Sequence, residues 1–343
     1  MLCARSPLRI DLVGMTDYHV ACDLFGGRIV NATINKYIYA TLVPRDDAKI
    51  ILRAPDLDDT VVEIPNAAAL RSDGKLGLAQ HIIAAMGIEG GLELTTYSEM
   101  PGGAGLGSSS TIATCIISIL SAYLGHRLTN FDIAELAIES EKAVLGTHYG
   151  WQDQYSPVTG GGVKYMVHWP RPDARDIEID VLPLPPNTIV ELEKRMVVAY
   201  SGISRPAKVI LDKVAEGVSA EEPGVVSALK AMSQCAEEIR RALLRARLDD
   251  LGPLLNETWR QHKRLHPDVT NDRLEALHEV ALRYGATGGR VCGAGGGGTM
   301  IFFCRQNAEY GVKQALSREA AQVFDFSIDR QGLCIWEYEP PAS

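Results

Sequence analysis

Polar and apolar residues alternate along positions 6–13 (Ser-Pro-Leu-Arg-Ile-Asp-Leu-Val), the period of a strand. Gly26 and Gly27 mark a turn. Residues 29–42, dense in Val, Ile, Thr and Tyr, predict one or two further strands. Residues 49–53 and 61–64 predict short strands of the same sheet, separated by an acidic turn at 55–60. Positions 76–86 have helical spacing, and 92–98 return to strand. The apolar stretch 111–124 predicts a buried helix; it contains Ser118 and Ser121 and is too short to span a bilayer. Residues 130–145 predict another helix, with Asn130 as its N-cap.

Beyond Gly160-Gly-Gly162, residues 163–167 predict a strand. Residues 171–187 are rich in Pro and Asp and predict a lobe boundary with a short strand at 177–182; 195–200 predict another strand. From 205 to about 284 the spacing is mainly helical. Val225, Leu229, Met232, Ile239 and Leu243 share one face, Leu254, Thr258 and Leu265 a second, and Leu274, Leu277 and Tyr284 a third. Gly285 suits a helix end. A glycine cluster, Gly293 to Gly298, leads into a strand at 299–304. Strands come first and helices group later, which predicts an α+β fold. The length predicts two lobes, divided as 1–185 and 186–343.

The net charge of −9 argues against non-specific nucleic-acid binding. A phosphate pocket must then be made locally, by a few cations and oriented backbone N–H groups. Seven cysteines without a CxxC spacing predict reduced thiols rather than disulfides or a zinc site. No signal peptide or membrane span is expected, so the reading is a cytoplasmic protein, monomer or homodimer. His262 and His266 lack the Glu of a zinc-protease motif and are expected at a surface or loop end.

The candidate chemistry centres on Pro101-Gly-Gly-Ala-Gly-Leu-Gly-Ser-Ser-Ser110, followed at once by the apolar helix. A triphosphate needs converging N–H donors, no obstructing side chains and positive potential. A glycine-rich turn feeding a helix N-terminus provides all three. Gly103, Ala104, Gly105, Gly107, Ser108, Ser109 and Ser110 are the candidate phosphate ligands. The Gly-Lys-Ser/Thr ending of a Walker A loop is missing, and the dinucleotide G-x-G-x-x-G fails at Ser108.

This segment resembles the central motif of the galactokinase, homoserine kinase, mevalonate kinase and phosphomevalonate kinase superfamily. Ser6-Pro-Leu-Arg-Ile-Asp-Leu-Val-Gly14 resembles its first motif, and Gly288-Gly-Arg-Val-Cys-Gly-Ala-Gly-Gly-Gly-Gly-Thr299 its third. The three lie in the expected order over nearly the whole chain. The resemblance implies a lobe like ribosomal protein S5 domain 2, then a ferredoxin-like lobe, with ATP and Mg²⁺ bound between them. It also implies that Asp153, in Trp151-Gln-Asp-Gln-Tyr155, is a base or substrate-orienting carboxylate. Arg9 would hold Asp153 ionised and stabilise the transferring phosphoryl group, so the two should meet in the fold. Glu141 with Ser109 would hold Mg²⁺, with Ser108 the alternative hydroxyl and Glu139 the alternative carboxylate.

Four segments resemble bacterial D-glycero-D-manno-heptose 7-phosphate kinases: 33–39, 150–155, 200–205 and 288–298. A phosphorylated sugar requires extra cations, and Arg205 and Lys208, with Lys164, are the candidates. Thr16, Asp17 and His19 are expected to line the sugar pocket, with Gly295 and Gly296 also at the substrate. Here the chain departs from that group: Gly14-Met-Thr-Asp-Tyr-His19 replaces its Gly-Gly-Gly-Thr-Asp run and is closer to galactokinases. A free-sugar 1-kinase (galactokinase- or fucokinase-like), a kinase of another alcohol such as mevalonate or homoserine, and a silent ATP- and sugar-binding sensor are the competing functions. His148, Tyr149, Asn35 and Lys36 are further residues that could approach ligand.

Overall fold

A computed structural model describes residues 1–18, 21–22, 24, 26–146, 150–170, 176–204 and 207–339. The first sheet is built from β1 (Leu2–Val13), β2 (Gly27–Pro44), β3 (Ile50–Ala54), β4 (Thr60–Ile64), β5 (Leu92–Ser98), β6 (Val163–Trp169) and β7 (Asp176–Val181). β2 is one long strand rather than two. Its first part, 27–32, pairs with β6, and its last part, 38–44, with β5. β3 runs parallel to β5; the other pairings are antiparallel.

The alternation read in β1 is not half-buried. Leu8, Ile10 and Leu12 pack on one face, and Arg9 and Asp11, on the other, are also buried. Register shifts on either side of the 9–11 segment interrupt its pairing with β2. Such irregularities re-aim side chains next to functional sites.

Four helices follow in this half. α1 (Gly77–Ala85) packs beside α2 (Ser108–Leu124), which lies against β1 and β2 and is buried along most of its length. Its first turn begins at Ser108, three residues earlier than the apolar pattern predicts. α3 (Asn130–Leu145) is capped by Thr129, not Asn130. Thr129 Oγ1 accepts from Asp132 N, and Asp132 Oδ2 accepts from Thr129 N, a capping box. α4 (Gln152–Val158) is short and carries Asp153 in its first turn.

The second sheet has the order β11-β8-β10-β9. Its strands are β8 (Met196–Tyr200), β9 (Ala286–Val291), β10 (Thr299–Cys304) and β11 (Gln322–Phe324), all antiparallel. Against it pack α5 (Pro186–Arg195), α8 (Leu251–His262), α9 (Asp272–Tyr284) and α10 (Glu309–Arg318), whereas α6 (Ala207–Ser219) packs on α7 (Pro223–Leu244), which lies between α8 and strands β1 and β2 of the first sheet.

All five residues of the α7 face are buried as expected. α8 ends before Leu265, so that residue packs from a turn. Tyr284 is exposed, and Ala281 completes the buried face of α9. His262 is fully buried, contrary to its expected surface position; His266 caps a short 3₁₀ turn, with Nδ1 accepting from Asp268 N. Gly288 lies in β9, where α8 packs so close that a Cβ would strike the Gly252 carbonyl.

The chain then returns to the first sheet, where β12 (Cys334–Glu337) pairs with β1. All seven cysteines are unbridged thiols. Among the described residues no helix is long and apolar enough to cross a membrane.

Candidate active site

The loop before α2 turns at three alternating glycines. Gly103, Gly105 and Gly107 take φ of 74°, 75° and 79°, the left-handed region that side chains disfavour. A Cβ on Gly105 would lie 2.6 Å from the Cys292 carbonyl, so the glycine motifs of the two halves touch directly. Thr299 N donates to the Ala104 carbonyl at 2.8 Å, stitching β10 to the same loop.

Arg9 reaches this loop from β1. Nε donates to Asp153 Oδ1 at 2.7 Å and Nη2 to Oδ2 at 2.9 Å, while Nη1 donates to the Gly105 carbonyl at 2.6 Å. The planar guanidinium thus grips a carboxylate with two bonds and the loop with a third. Burial works against the Arg9 charge, but Asp153 and Asp11 more than offset it, and its pKa is raised.

Three helices converge beside this pair. Ser110 Oγ, in the first turn of α2, donates to Glu141 Oε2 of α3 at 2.8 Å. Gln154 Nε2 of α4 donates to the same oxygen at 2.5 Å. Burial pushes the Glu141 carboxyl above its usual range, against the pull of bonds from Ser109, Ser110 and Gln154. Ser108 Oγ is buried with no partner among the described residues.

Asp17 faces the same cavity. Its Oδ2 accepts from Trp151 N (3.1 Å) and Gln152 N (3.2 Å), and its Oδ1 from Gln152 Nε2 (3.3 Å). Burial, followed by the charge of Asp153, pushes its carboxyl up to about 6. The cavity, of about 420 Å³, is walled by these groups, by Gly293, Ala294, Gly295, Gly297 and Gly298 of the opposite half, and by apolar Met15, Ile138, Leu145 and Leu211.

No cluster of three or more His, Cys, Asp or Glu that could hold a metal occurs among the described residues. Of the cavity's carboxylates, Asp153 is held by Arg9, and Asp17 by Trp151 and Gln152, which leaves Glu141 beside the hydroxyls of Ser108–Ser110. This hard, all-oxygen set suits Mg²⁺, which keeps several waters and takes phosphate oxygens as further ligands.

The GHMP kinases N terminal domain matches residues 75–161, and the GHMP kinases C terminal domain residues 239–322. A D-glycero-alpha-D-manno-heptose 7-phosphate kinase from Campylobacter jejuni is 35% identical over 97% of this chain and 98% of its own. This chain belongs to the GHMP kinase family. A crystal structure from Campylobacter jejuni, 33% identical, superposes over 98% of each chain with a TM-score of 0.79. That of a D-glycero-D-manno-heptose 1-phosphate kinase from Bacteroides thetaiotaomicron, 25% identical, covers 99% of this chain and 100% of its own, with a TM-score of 0.82.

Within this GHMP kinase, the fold brings Arg9, Asp17, Gly103, Gly105, Gly107, Ser108, Ser109, Ser110, Glu141, Asp153, Lys208 and Gly295 to one cavity. Other sequence candidates lie elsewhere. Thr16 does not line the cavity: its hydroxyl donates to the Arg28 carbonyl and accepts from Arg28 N. Ala104 is buried and serves the loop through its carbonyl. Gly296 is turned away, its N–H bound to the Val269 carbonyl and its carbonyl to Asn271 Nδ2.

Lys164 is not in the cavity wall either. It is fully buried in β6, and burial pushes its amine down to about 7. Glu139 is exposed, which leaves Glu141 as the inward carboxylate of α3. Asn35 Oδ1 accepts from Ser327 N, and Lys36 sits over the Phe324 ring; neither lines the cavity. His19, Arg205, His148 and Tyr149 lie outside the described residues.

Sequence reasoning gave no role to Asp11, Gln152 or Gln154. Asp11 Oδ2 accepts from Gly293 N at 3.1 Å and shapes the opposite wall. Its signal was present, since strand alternation places it on the face of Arg9.

Proposed function

We propose that this protein transfers the γ-phosphoryl group of ATP to the anomeric hydroxyl of D-glycero-D-manno-heptose 7-phosphate or a closely similar long-chain sugar phosphate. The observation that carries this reading is the Arg9–Asp153 pair, bonded to the glycine loop at the N-terminus of α2. The loop N–H groups and Ser108–Ser110 would hold the phosphates, favoured by the helix dipole. Glu141 and Ser109 would hold Mg²⁺, which neutralises charge on the β- and γ-phosphates.

The acceptor hydroxyl would lie against Asp153. Its oxygen bonds to the γ-phosphorus as the bond from that phosphorus to the bridging oxygen breaks, ADP leaves, and the hydroxyl proton passes to Asp153. Held by two guanidinium bonds, Asp153 is placed both to orient the hydroxyl and to receive its proton, and positioning of this kind suits a loose transition state. Asp17 would accept from sugar hydroxyls.

For the substrate's own phosphate, Arg9 is already committed to Asp153. Lys208, at the start of α6 and paired with Asp212 at 3.4 Å, is the cation of the described wall that can reorient towards it. The full-length relative with a phosphorylated heptose substrate supports this choice.

A second reading, a free-sugar 1-kinase, draws on the Thr16-Asp17-Tyr18 segment. ATP consumption with Mg²⁺ against heptose 7-phosphate, unphosphorylated heptose, galactose, fucose and mevalonate separates them. Turnover confined to heptose 7-phosphate is expected. Equal turnover with free heptose would remove the phosphate pocket, and turnover with mevalonate alone would overturn the sugar assignment.

A further inference from the structure

Gln154 follows Asp153 on α4, and the mechanism above gives it no part. Its side chain is buried. Besides its bond to Glu141 Oε2, its Nε2 donates to Ser110 Oγ at 3.0 Å. Since Ser110 Oγ also donates to that Oε2, three side chains close a triangle joining α2, α3 and α4. The triangle fixes the amide: turned over, Oε1 would face an acceptor oxygen. Held this way, Gln154 Oε1 is buried and has no partner among the described residues, although Gln154 lines the cavity. A buried acceptor without a donor is costly, so the arrangement points to a donor that arrives with the ligand.

We propose that Gln154 is a positioning residue that sets the cation preference of this site. With Ser110 it occupies Glu141 Oε2, so the carboxylate can offer a divalent cation a single oxygen. Its own Oε1 then accepts a hydrogen bond from a water in the shell of that cation. Mg²⁺ takes six ligands, keeps waters and binds carboxylates sparingly, whereas Ca²⁺ takes six to eight and readily uses both oxygens of one carboxylate. A carboxylate with one oxygen already held matches the first ion and handicaps the second. The inference rests on the reading of the cavity as a Mg·ATP site.

The test is calorimetric titration of the ATP analogue AMPPNP into the full-length protein with Mg²⁺, with Ca²⁺ or with EDTA. The wild type, Gln154→Met and Ser110→Ala are compared, with thermal midpoints measured alongside. The wild type should prefer the Mg²⁺ complex to the Ca²⁺ complex. Gln154→Met should weaken the Mg²⁺ complex by about tenfold or more, the usual effect of losing a partner of a metal ligand, and narrow the preference. Ser110→Ala removes the other side-chain donor to Oε2 with little change of volume and should narrow it in the same direction.

A Gln154→Met protein with the wild-type midpoint and an unchanged Mg²⁺/Ca²⁺ ratio overturns the proposal. Should that variant not fold, an unchanged ratio in Ser110→Ala does so. A wild type that binds AMPPNP equally well with Mg²⁺, Ca²⁺ and EDTA overturns the metal-site reading itself.

Discussion

Asp153 and Arg9 stand 144 residues apart in the chain and share two hydrogen bonds in the fold. A carboxylate so held is already oriented before substrate arrives, which is the condition for efficient phosphoryl transfer. Asp153→Asn should therefore lower kcat by about 10³, within the range for losing a positioned acid–base group. Calorimetry should find AMPPNP affinity retained; full turnover in that variant would remove Asp153 from the chemistry.

Asp17 gives a second residue-level prediction. Its folded pKa, about 6, lies above the usual 3.8. Below pH 4 both folded and unfolded chains carry the proton and burial costs nothing. As pH rises from 4 to 6 the unfolded chain ionises first, and stability falls. The full cost above pH 6 is about 3 kcal/mol. Denaturant unfolding of wild type against Asp17→Asn should show the wild type losing ground by up to that amount between pH 4 and 7. A pH-independent difference would contradict the assignment. Loss of sugar binding in the same variant would show that the buried charge is kept for function.

At the scale of elements, the glycine loop is the part most constrained by backbone. Gly105→Ala would place a methyl group in a left-handed position and against the Cys292 carbonyl at 2.6 Å. The strain should cost about 1–3 kcal/mol, and AMPPNP affinity should fall with it; unchanged affinity and midpoint would mean the loop can shift freely.

Most elements were legible in the sequence because their apolar spacing is strong, as in β5 and in α7 with its five buried positions. What escaped was set by tertiary contact. β9, with Gly288 and Gly289 in it, drew no assignment from its spacing; its glycines make sense once α8 is seen packed against Gly288. Thr16 reads as a sugar ligand until Arg28 of β2 is placed beside it. Lys164 reads as a cation for the sugar's phosphate until β6 is found between β2 and β7 and the residue fully buried. Arg9, Glu141 and Asp153 were legible through the family motifs, whereas Gln154, though within the 150–155 segment, had no role until its contacts with Ser110 and Glu141 were seen.

For the whole molecule, the cavity lies where the two glycine motifs meet, and the chain crosses between the sheets more than once. The segment before β12 is tied to β2: Asp329 N donates to the Thr33 carbonyl at 2.9 Å, and Tyr37 Oη donates to Asp329 Oδ2 at 2.9 Å. Tyr37→Phe should lower global stability by about 1 kcal/mol, measured in urea, without altering turnover. An effect on kcat would tie this return segment to the site.

On the proposed function, the two halves together phosphorylate the anomeric hydroxyl of a sugar that already carries a phosphate. ³¹P NMR of a reaction containing the protein, MgATP and D-glycero-D-manno-heptose 7-phosphate tests it most directly. One new phosphate resonance, coupled to the anomeric proton, should grow in step with ADP while the 7-phosphate resonance persists. ADP formed without that resonance, or no ADP beyond the sugar-free control despite nucleotide binding, would contradict it.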